Sequence, residues 1–168
     1  MLLALDPSST RTGYAVFDSA GKIAEAGYLN PRFATDKAWD RIASMIEDLA
    51  ELLRATAPRR IVIEVPSGKV GGGQRRGAGA SLCIYGFAVG AIWATCRSAT
   101  CNPTTDEVDE RSWTLRVPKE IRRSRVAAEF PEYRKVMSKD GGGDVADAIG
   151  IGLWWIEQRR IRDGSARI

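Results

Sequence analysis

The stretch LLALDPSSTRTGYAVFD, residues 2 to 18, decides the fold because it contains two candidate strands joined by a tight connection. Its first part, LLALD, is an apolar run that an Asp-Pro pair ends, which is typical of a buried strand followed by a turn. The segment GYAVFD predicts a second strand. IAEAGYL at 23 to 29 predicts a third, since the intervening SAGK has the length and the glycine of a hairpin turn. The chain therefore opens with a predicted three-stranded meander.

The remainder of the chain alternates between helix and strand patterns. Apolar residues recur every three or four positions from 37 to 54, which predicts an amphipathic helix, and RRIVIEVP at 59 to 66 is a β-branched run of strand length. An antiparallel start followed by such alternation predicts an α/β fold with a mixed sheet flanked by helices. The later predicted elements are an apolar helix at 80 to 96, a strand at 104 to 108, a basic helix at 118 to 130, a polar loop and a last helix from about 144.

The composition limits both the number of domains and the chemistry. With 168 residues, 44% of them hydrophobic, the chain is long enough for one core and short for two, so we expect a single domain over residues 1 to 168. The absence of histidine excludes a Ser-His-Asp triad, a histidine zinc site and a histidine general base. Three cysteines favour a reducing compartment over a disulfide framework. A net charge of +4 mildly favours a polyanionic partner such as nucleic acid.

The sequence favours neither a signal peptide nor a membrane-spanning helix. The start MLLALDPSS lacks the basic and long apolar regions of a signal peptide. The run ASLCIYGFAVGAIWATC at 80 to 96 reaches the lower limit of membrane-spanning length, but its glycines and polar residues favour a helix buried against a sheet. We therefore expect a soluble cytoplasmic protein with no membrane partner.

The segment GGGDVADAIGIGLWW, residues 141 to 155, places Asp144 and Asp147 directly before an apolar run. In a helix, residues three apart share one face, so both side chains could bind one ligand. Aspartate is also a common helix cap, and taken alone capping is the commoner explanation. Gly150 and Gly152 each disfavour a helix by about 1 kcal/mol, which close packing against the sheet would explain. The alternation IGIG also permits a strand.

Two further carboxylates end predicted strands. Asp6 ends the first strand, and Glu64 lies near the end of the strand at 59 to 66, where ligands bind in α/β folds. A charge inside a buried strand is costly unless it is paired or bound to a metal, whereas a charge at a strand end can face a cleft. If these strands are neighbours and the last helix packs beside them, Asp6, Glu64, Asp144 and Asp147 converge. Such an all-oxygen cluster requires cations and selects Mg²⁺ or Mn²⁺, and two such ions can hydrolyse a phosphodiester.

Three acidic motifs, in this order, resemble those of the RuvC-type Holliday junction resolvases. LLALDPSSTRTGYAVFD resembles the opening of that family, IVIEVP its second acidic motif and DVADAIGIGLWW its last. SWTLRVPKEIRRSRVAAEFP is similar to the tryptophan-containing strand exit and basic helix of the phage and plasmid members. The resemblance extends from residue 2 to about residue 157.

The resemblance implies a ribonuclease H-like fold, with a five-stranded mixed sheet whose first three strands are antiparallel and whose later strands are parallel. It implies a homodimer that nicks four-way junctions and other branched DNA with two Mg²⁺ ions per active site, for which Mn²⁺ can substitute, leaving 5′-phosphate and 3′-hydroxyl ends. The setting would be the cytoplasm of a prokaryotic cell or of a phage-infected host. The implied metal ligands and catalytic carboxylates are Asp6, Glu64, Asp144 and Asp147.

A lysine that supports the active site in this family has its nearest counterpart here in Lys119, with Arg122 or Arg123 as alternatives. These three residues belong to a basic helix that would otherwise be a plain solvated face. Arg122 and Arg123 are also candidates for DNA binding. The basic tail at 158 to 168 receives no specific role.

A second basic segment, the glycine-rich stretch at 67 to 80, follows Glu64 directly. Its residues Lys69, Arg75 and Arg76 would suit contacts with the DNA backbone, which are electrostatic and independent of sequence, although a solvated loop is the alternative. The stretch lacks the Lys-Ser/Thr pair of a phosphate-binding loop, so no nucleotide cofactor is expected.

Three other functions compete with the junction resolvase. The first is a ribonuclease H-like nuclease acting on a flap, a fork, a single strand or a hybrid. The second is an actin-like sugar kinase or ATPase, which the chain is too short to form. The third is a non-catalytic DNA-binding module, which uncompensated carboxylates facing DNA phosphates would disfavour.

Overall fold

The computed structural model describes residues 1–31, 37–65, 78–139 and 144–164, and it contains five strands and six helices in those ranges. A single 3-10 turn covers Pro131–Tyr133. The strands are β1 (Leu2–Asp6), β2 (Thr12–Phe17), β3 (Ile23–Leu29), β4 (Arg60–Val65) and β5 (Thr104–Asp109). The helices are α1 (Ala38–Thr56), α2 (Ala78–Arg97), α3 (Glu110–Thr114), α4 (Lys119–Glu129), α5 (Arg134–Lys139) and α6 (Asp144–Arg162).

The five strands form one mixed sheet in the order β3-β2-β1-β4-β5. The pairs β1–β2 and β2–β3 are antiparallel, whereas β1–β4 and β4–β5 are parallel. The predicted mixed sheet, with an antiparallel start and parallel later strands, is therefore confirmed. In the parallel pair β1–β4, Leu5 lies opposite Ile63. Asp6 and Glu64, one residue further along each strand, thus reach the same edge of the sheet.

Helices cover both faces of this sheet, because alternate strand residues point to opposite sides. On one face, Leu5 and Ile63 pack in a core with residues of α1 and α2 such as Met45. On the other face, Ala4 and Phe17 pack against α6, including Ile149. Both cores are apolar, and the carboxylates of Asp6 and Glu64 lie outside them, at the carboxyl ends of β1 and β4.

Helix α6 confirms the predicted helix from residue 144, and the alternative of a strand over IGIG is wrong. A Cβ added at Gly152 would overlap the ring of Phe17 on β2, so this glycine allows the close packing against the sheet that the sequence suggested. A Cβ at Gly150 would come within 2.9 Å of the Trp113 ring instead. Both glycines fit this helix because the space that a Cβ would fill is occupied by an aromatic ring.

Three segments differ from the sequence-based expectation. Glu110–Thr114, for which no element was predicted, forms α3. Residues 131–139, predicted as a polar loop, form the 3-10 turn and α5, which buries Met137. Helix α2, predicted to be buried against the sheet, is buried only in part: Ala88 and Ile92 face the core, whereas Leu82 and Phe87 are 55% and 49% exposed. The helix is apolar on all sides, so its outer face also carries apolar residues. Across the described part of the chain, no helix has both the length and the apolarity to cross a membrane.

Candidate active site

Four carboxylates lie around one cavity at the carboxyl ends of β1 and β4. Asp6 is the last residue of β1, Glu64 is next to last in β4, and Asp144 and Asp147 lie in the first turn of α6. A Cβ at Gly13 of β2 would overlap the backbone carbonyl of Asp144, so this glycine lets the start of α6 approach the sheet. The cavity measures about 490 Å³ and is lined by all four carboxylates. The predicted convergence of these residues is present in the structure.

The cavity wall also includes residues that the sequence analysis did not single out as functional. Tyr85 reaches it from α2, and Glu110, Thr114 and Arg116 reach it from α3 and the turn that follows. Nothing in the periodicity of α2 marks Tyr85, since the helix is apolar on all sides. The remaining lining residues are Pro7, Ser8, Val117, Pro118, Lys119 and Arg122.

Burial and the charges of the other three carboxylates act together on Asp6. Burial raises the pKa of Asp6 well above its usual value, and the charges of Glu64, Asp147 and Asp144 raise it further. The positive charge of Lys119 acts in the opposite direction. A buried carboxylate surrounded by other carboxylates is favoured in its charged form only when a cation is near.

Glu64 shows the same direction of shift. Burial raises its pKa to about 7, and the charges of Glu110 and Asp147 act in the same direction. A hydrogen bond from Trp113 and the charge of Arg122 oppose the rise. The Trp113 indole N–H donates to Oε2 of Glu64 over 2.6 Å. Glu64 is thus a tethered carboxylate that changes protonation state near neutral pH.

Asp147 is buried and paired with two cationic side chains. The Lys119 ammonium lies 2.9 Å from Oδ2 of Asp147 and 3.6 Å from Oδ1 of Asp144. Arg122 donates to Oδ1 of Asp147 from Nε and Nη2 over 3.2 and 3.1 Å. Burial lowers the pKa of Lys119, but its hydrogen bond to Asp147 and the surrounding carboxylates outweigh burial and raise that pKa. The ammonium therefore stays charged beside the carboxylates.

The donor set suits a hard divalent cation. It consists of carboxylate oxygens alone, without the nitrogen or sulfur that zinc prefers. In the ranges that the structure describes, no group of three or more acidic or thiol side chains is arranged to hold a metal ion. The Lys119 ammonium beside Asp144 and Asp147 supplies positive charge there instead. The donor chemistry therefore fits a hard divalent cation, and a bound ion would compete with this ammonium.

Tyr85 adds a neutral donor to the cavity. Burial raises its pKa to about 12, and the charges of Glu64, Asp6 and Glu110 add to the rise. The phenol thus keeps its proton at neutral pH and can donate a hydrogen bond to an oxyanion.

The chain resembles known proteins in its structure rather than in its sequence. No protein-family model matches the chain, and no curated protein sequence matches it significantly. The structure of Thermus thermophilus RuvC in complex with a Holliday junction substrate matches with a TM-score of 0.66 and 15% identity, covering 99% of this chain and 97% of that one. The chain has the RuvC fold. This finding confirms the ribonuclease H-like fold that the sequence motifs implied.

Two further structures share the RuvC fold. The yeast mitochondrial Holliday junction resolvase Ydc2 matches with a TM-score of 0.56 and 16% identity, over 98% of this chain and 81% of that one. The fowlpox virus resolvase with Holliday junction DNA matches with a TM-score of 0.53 and 15% identity, over 94% of this chain and 99% of that one. The same architecture thus recurs in bacterial, mitochondrial and viral proteins.

The basic residues predicted to bind DNA do not share one location in the structure. Arg122 lies inside the candidate site, bound to Asp147, rather than on an open surface. Arg123 is half-buried on α4 and faces the backbone carbonyl of Met137 in α5. Lys69, Arg75 and Arg76, predicted to contact DNA, lie outside the described residues.

Proposed function

We propose that this chain is a divalent-metal-dependent endonuclease that resolves Holliday junctions and related branched DNA. The observation that carries the proposal is the convergence of Asp6, Glu64, Asp144 and Asp147 on one cavity of a RuvC fold. Two of the similar structures were solved with Holliday junction DNA or substrate. A branched DNA substrate for this chain is the simplest interpretation of that likeness.

The four carboxylates would hold two Mg²⁺ ions, for which Mn²⁺ can substitute, and Lys119 supports the carboxylates as their counter-charge where no ion is bound. When bound, the ions supply an activated water and stabilise the leaving oxygen, so that hydrolysis leaves a 5′-phosphate and a 3′-hydroxyl. Lys119 and the exposed Arg116 provide positive charge at the cavity for a DNA phosphate, and Tyr85 provides a hydrogen-bond donor. We expect no nucleotide cofactor to take part.

DNA backbone contacts outside the cavity belong to the same proposal. Arg123 on α4 and the glycine-rich stretch at 67 to 80, with Lys69, Arg75 and Arg76, supply positive charge in the part of the chain between Glu64 and Asp144. Such contacts position DNA without reading its sequence. We place the protein in the cytoplasm of a prokaryotic cell or a phage-infected host.

We further propose that the protein acts as a homodimer through the outer face of α2. The described residues of one chain form one cavity lined by the four carboxylates, whereas resolving a four-way junction requires two opposed cuts. The outer face of α2 exposes Leu82 and Phe87, and Trp39 of α1 packs edge-on against Phe87 with ring centroids 4.6 Å apart. Added Cβ atoms at Gly86 and Gly90 would meet nothing within 4 Å, so a partner helix could approach closely there. A second copy of the same face would bury these residues in a two-fold interface.

The function is tested with a labelled immobile four-way junction beside a matched duplex, a fork and a single strand, in Mg²⁺ and in EDTA. The variants are Asp6→Asn and Glu64→Gln, and the control is Glu157→Gln, an exposed carboxylate further along α6. We expect paired symmetric nicks on the junction that EDTA abolishes. Loss of a metal ligand should lower the cleavage rate by more than about 100-fold, beyond the effect of outer residues. Glu157→Gln should cut like the wild type.

Other results would redirect the proposal. If forks, flaps, hybrids or single strands are cut faster than the junction, the nuclease chemistry stands and the junction assignment is wrong. If the junction is bound but not cut in Mg²⁺ or Mn²⁺, a non-catalytic DNA-binding module replaces the nuclease.

A further inference from the structure

Trp113 and Arg122 form a stacked pair of side chains that contacts two carboxylates of the candidate site. The Arg122 guanidinium carbon lies 4.7 Å from the centre of the Trp113 ring. Trp113 is 7% exposed and belongs to α3, whereas Arg122 belongs to α4. A guanidinium over an indole face is a favourable cation–π arrangement, and it holds both planes in a fixed relation.

Each member of the Trp113–Arg122 pair holds one oxygen of a different carboxylate. Trp113 donates to Oε2 of Glu64, and Arg122 donates twice to Oδ1 of Asp147. Arg122 is itself anchored, since its Nη1 donates to the backbone carbonyl of Val117 over 2.7 Å. The pair therefore links a carboxylate of β4 to a carboxylate of α6 without occupying the second oxygen of either.

The position of the indole is built into the packing of α6. A Cβ at Gly150 would lie 2.9 Å from Cζ3 of Trp113, so the ring rests directly on the backbone of this helix. The same helix carries Asp147 one turn earlier. Displacing the ring would therefore change the relation between Glu64 and Asp147.

We propose that Trp113 and Arg122 are positioning residues that fix the orientations of Glu64 and Asp147 for metal binding. The inference rests on the proposed metal-dependent function. A carboxylate of a strand and one of a helix have several rotamers each, and hydrogen bonds from outside the ligand set select the rotamers that face a common ion. Neither residue touches the reacting atoms; both act through the carboxylates.

The chain offers a matched control at the opposite end of the sheet. The Trp155 indole donates to Oδ2 of Asp106 over 3.1 Å, and Arg60 and Arg159 lie over its ring at 5.2 and 4.9 Å. Trp155→Phe thus removes the same kind of hydrogen bond from the same kind of stack, away from the carboxylate cavity.

The test compares Trp113→Phe, Trp155→Phe and Glu64→Gln in the full chain. Mn²⁺ binding to the DNA-free protein is measured by calorimetry, and thermal unfolding in EDTA is measured in parallel. Trp113→Phe keeps an aromatic ring in the core and leaves the charge of the site unchanged. We therefore expect this variant to unfold near the temperature of the Trp155→Phe protein while binding Mn²⁺ about 10- to 100-fold more weakly. Trp155→Phe should bind Mn²⁺ like the wild type.

Cleavage supplies a second measurement. For Trp113→Phe the Mg²⁺ concentration at half-maximal cleavage should rise, with most of the maximal rate recovered at high Mg²⁺, because the ligands themselves remain. Arg122→Lys keeps the charge but loses the two-nitrogen contact and the stacking plane, so it should show the same shift.

Two results would overturn the inference in different ways. In the first, the wild type binds Mn²⁺, Glu64→Gln does not, and the affinity of Trp113→Phe stays within about twofold of the wild type. That change is well below the one expected for residues outside the ligand set, so the positioning role would be wrong while the metal site stands. If the wild type and Glu64→Gln both fail to bind Mn²⁺, the metal site is wrong, and the proposed function falls together with the positioning role.

Discussion

The Lys119 ammonium lies 2.9 Å from Asp147 and thus provides an internal positive charge beside the clustered carboxylates. Lys119→Met keeps most of the side-chain volume and removes that charge. We expect the metal-free protein to lose about 1 to 2 kcal/mol of unfolding free energy, less than a buried charged hydrogen bond contributes, because the Lys119 side chain is 40% exposed. Urea unfolding in EDTA at neutral pH measures the loss.

Lys135→Met is the control for that experiment, since Lys135 is exposed on α5. Millimolar Mg²⁺ should stabilise the Lys119→Met protein more than the wild type, because the ion no longer competes with the ammonium. Equal unfolding free energies for the wild type and Lys119→Met in EDTA would contradict the role of Lys119 as an internal counter-charge.

The raised pKa of Glu64 predicts that the metal-free protein loses stability as the pH rises. Below about pH 4.5 the carboxyl is protonated in both states, and above about pH 7 it is ionised in both. Between these values the unfolded chain releases the proton first, so the unfolding free energy falls, by about 3 kcal/mol for a shift of this size. Asp6, whose pKa is also raised, adds to the loss.

Urea unfolding at pH 5 and pH 8 in EDTA tests this dependence. Glu64→Gln should remove much of the difference between the two pH values, because glutamine does not titrate. The exposed control Glu157→Gln should leave the difference unchanged. A Glu64→Gln protein with the full wild-type difference would show that other groups cause it.

The outer face of α2 predicts the effect of a charge at Phe87. Phe87→Glu places a carboxylate in the centre of the proposed interface, where burial without a partner is costly. We expect the dissociation constant of the dimer to rise by at least about 10-fold, which corresponds to roughly 1.4 kcal/mol of association free energy. Light scattering over a concentration series measures the change.

Ile161→Glu is the matched control, because Ile161 is 54% exposed on α6. It should leave the oligomeric state unchanged. In junction cleavage, Phe87→Glu should lose paired nicks more strongly than single nicks. A wild-type protein that is monomeric at all concentrations would remove the α2 interface from the proposed function.

Gly152 predicts a sharp cost for one added methyl group. In Gly152→Ala the Cβ would overlap the ring of the fully buried Phe17, so α6 or the ring has to move. We expect a loss of about 1 to 3 kcal/mol, the usual cost of overfilling a core. Gly79→Ala, where a Cβ meets nothing within 4 Å, should stay within about 0.5 kcal/mol of the wild type. Unfolding both variants in urea decides between crowding and a general effect of glycine replacement.

The sequence by itself determined the five strands, the helices α1, α2, α4 and α6, and the positions of the four carboxylates within these elements. An apolar run ended by Asp-Pro, a β-branched run containing Glu64, and an apolar run after Asp144 are local signals that depend on periodicity and turn chemistry. Parallel pairing of β1 with β4 then brings Asp6 and Glu64 to one edge. The sequence could predict this proximity of Asp6 and Glu64 because the carboxyl ends of neighbouring parallel strands lie at the same edge of a sheet.

Only the tertiary structure decided which side chains hold those carboxylates. Trp113 and Glu64 are 49 residues apart in sequence, and Arg122 and Asp147 are 25 apart. Their contacts depend on how α3, α4 and α6 pack, which no local pattern specifies. The sequence offered Lys119, Arg122 and Arg123 as alternatives for one supporting role. Packing assigned Lys119 and Arg122 to opposite oxygens of Asp147 and turned Arg123 towards α5, because the direction of a side chain on a helix is fixed only when the helix is docked.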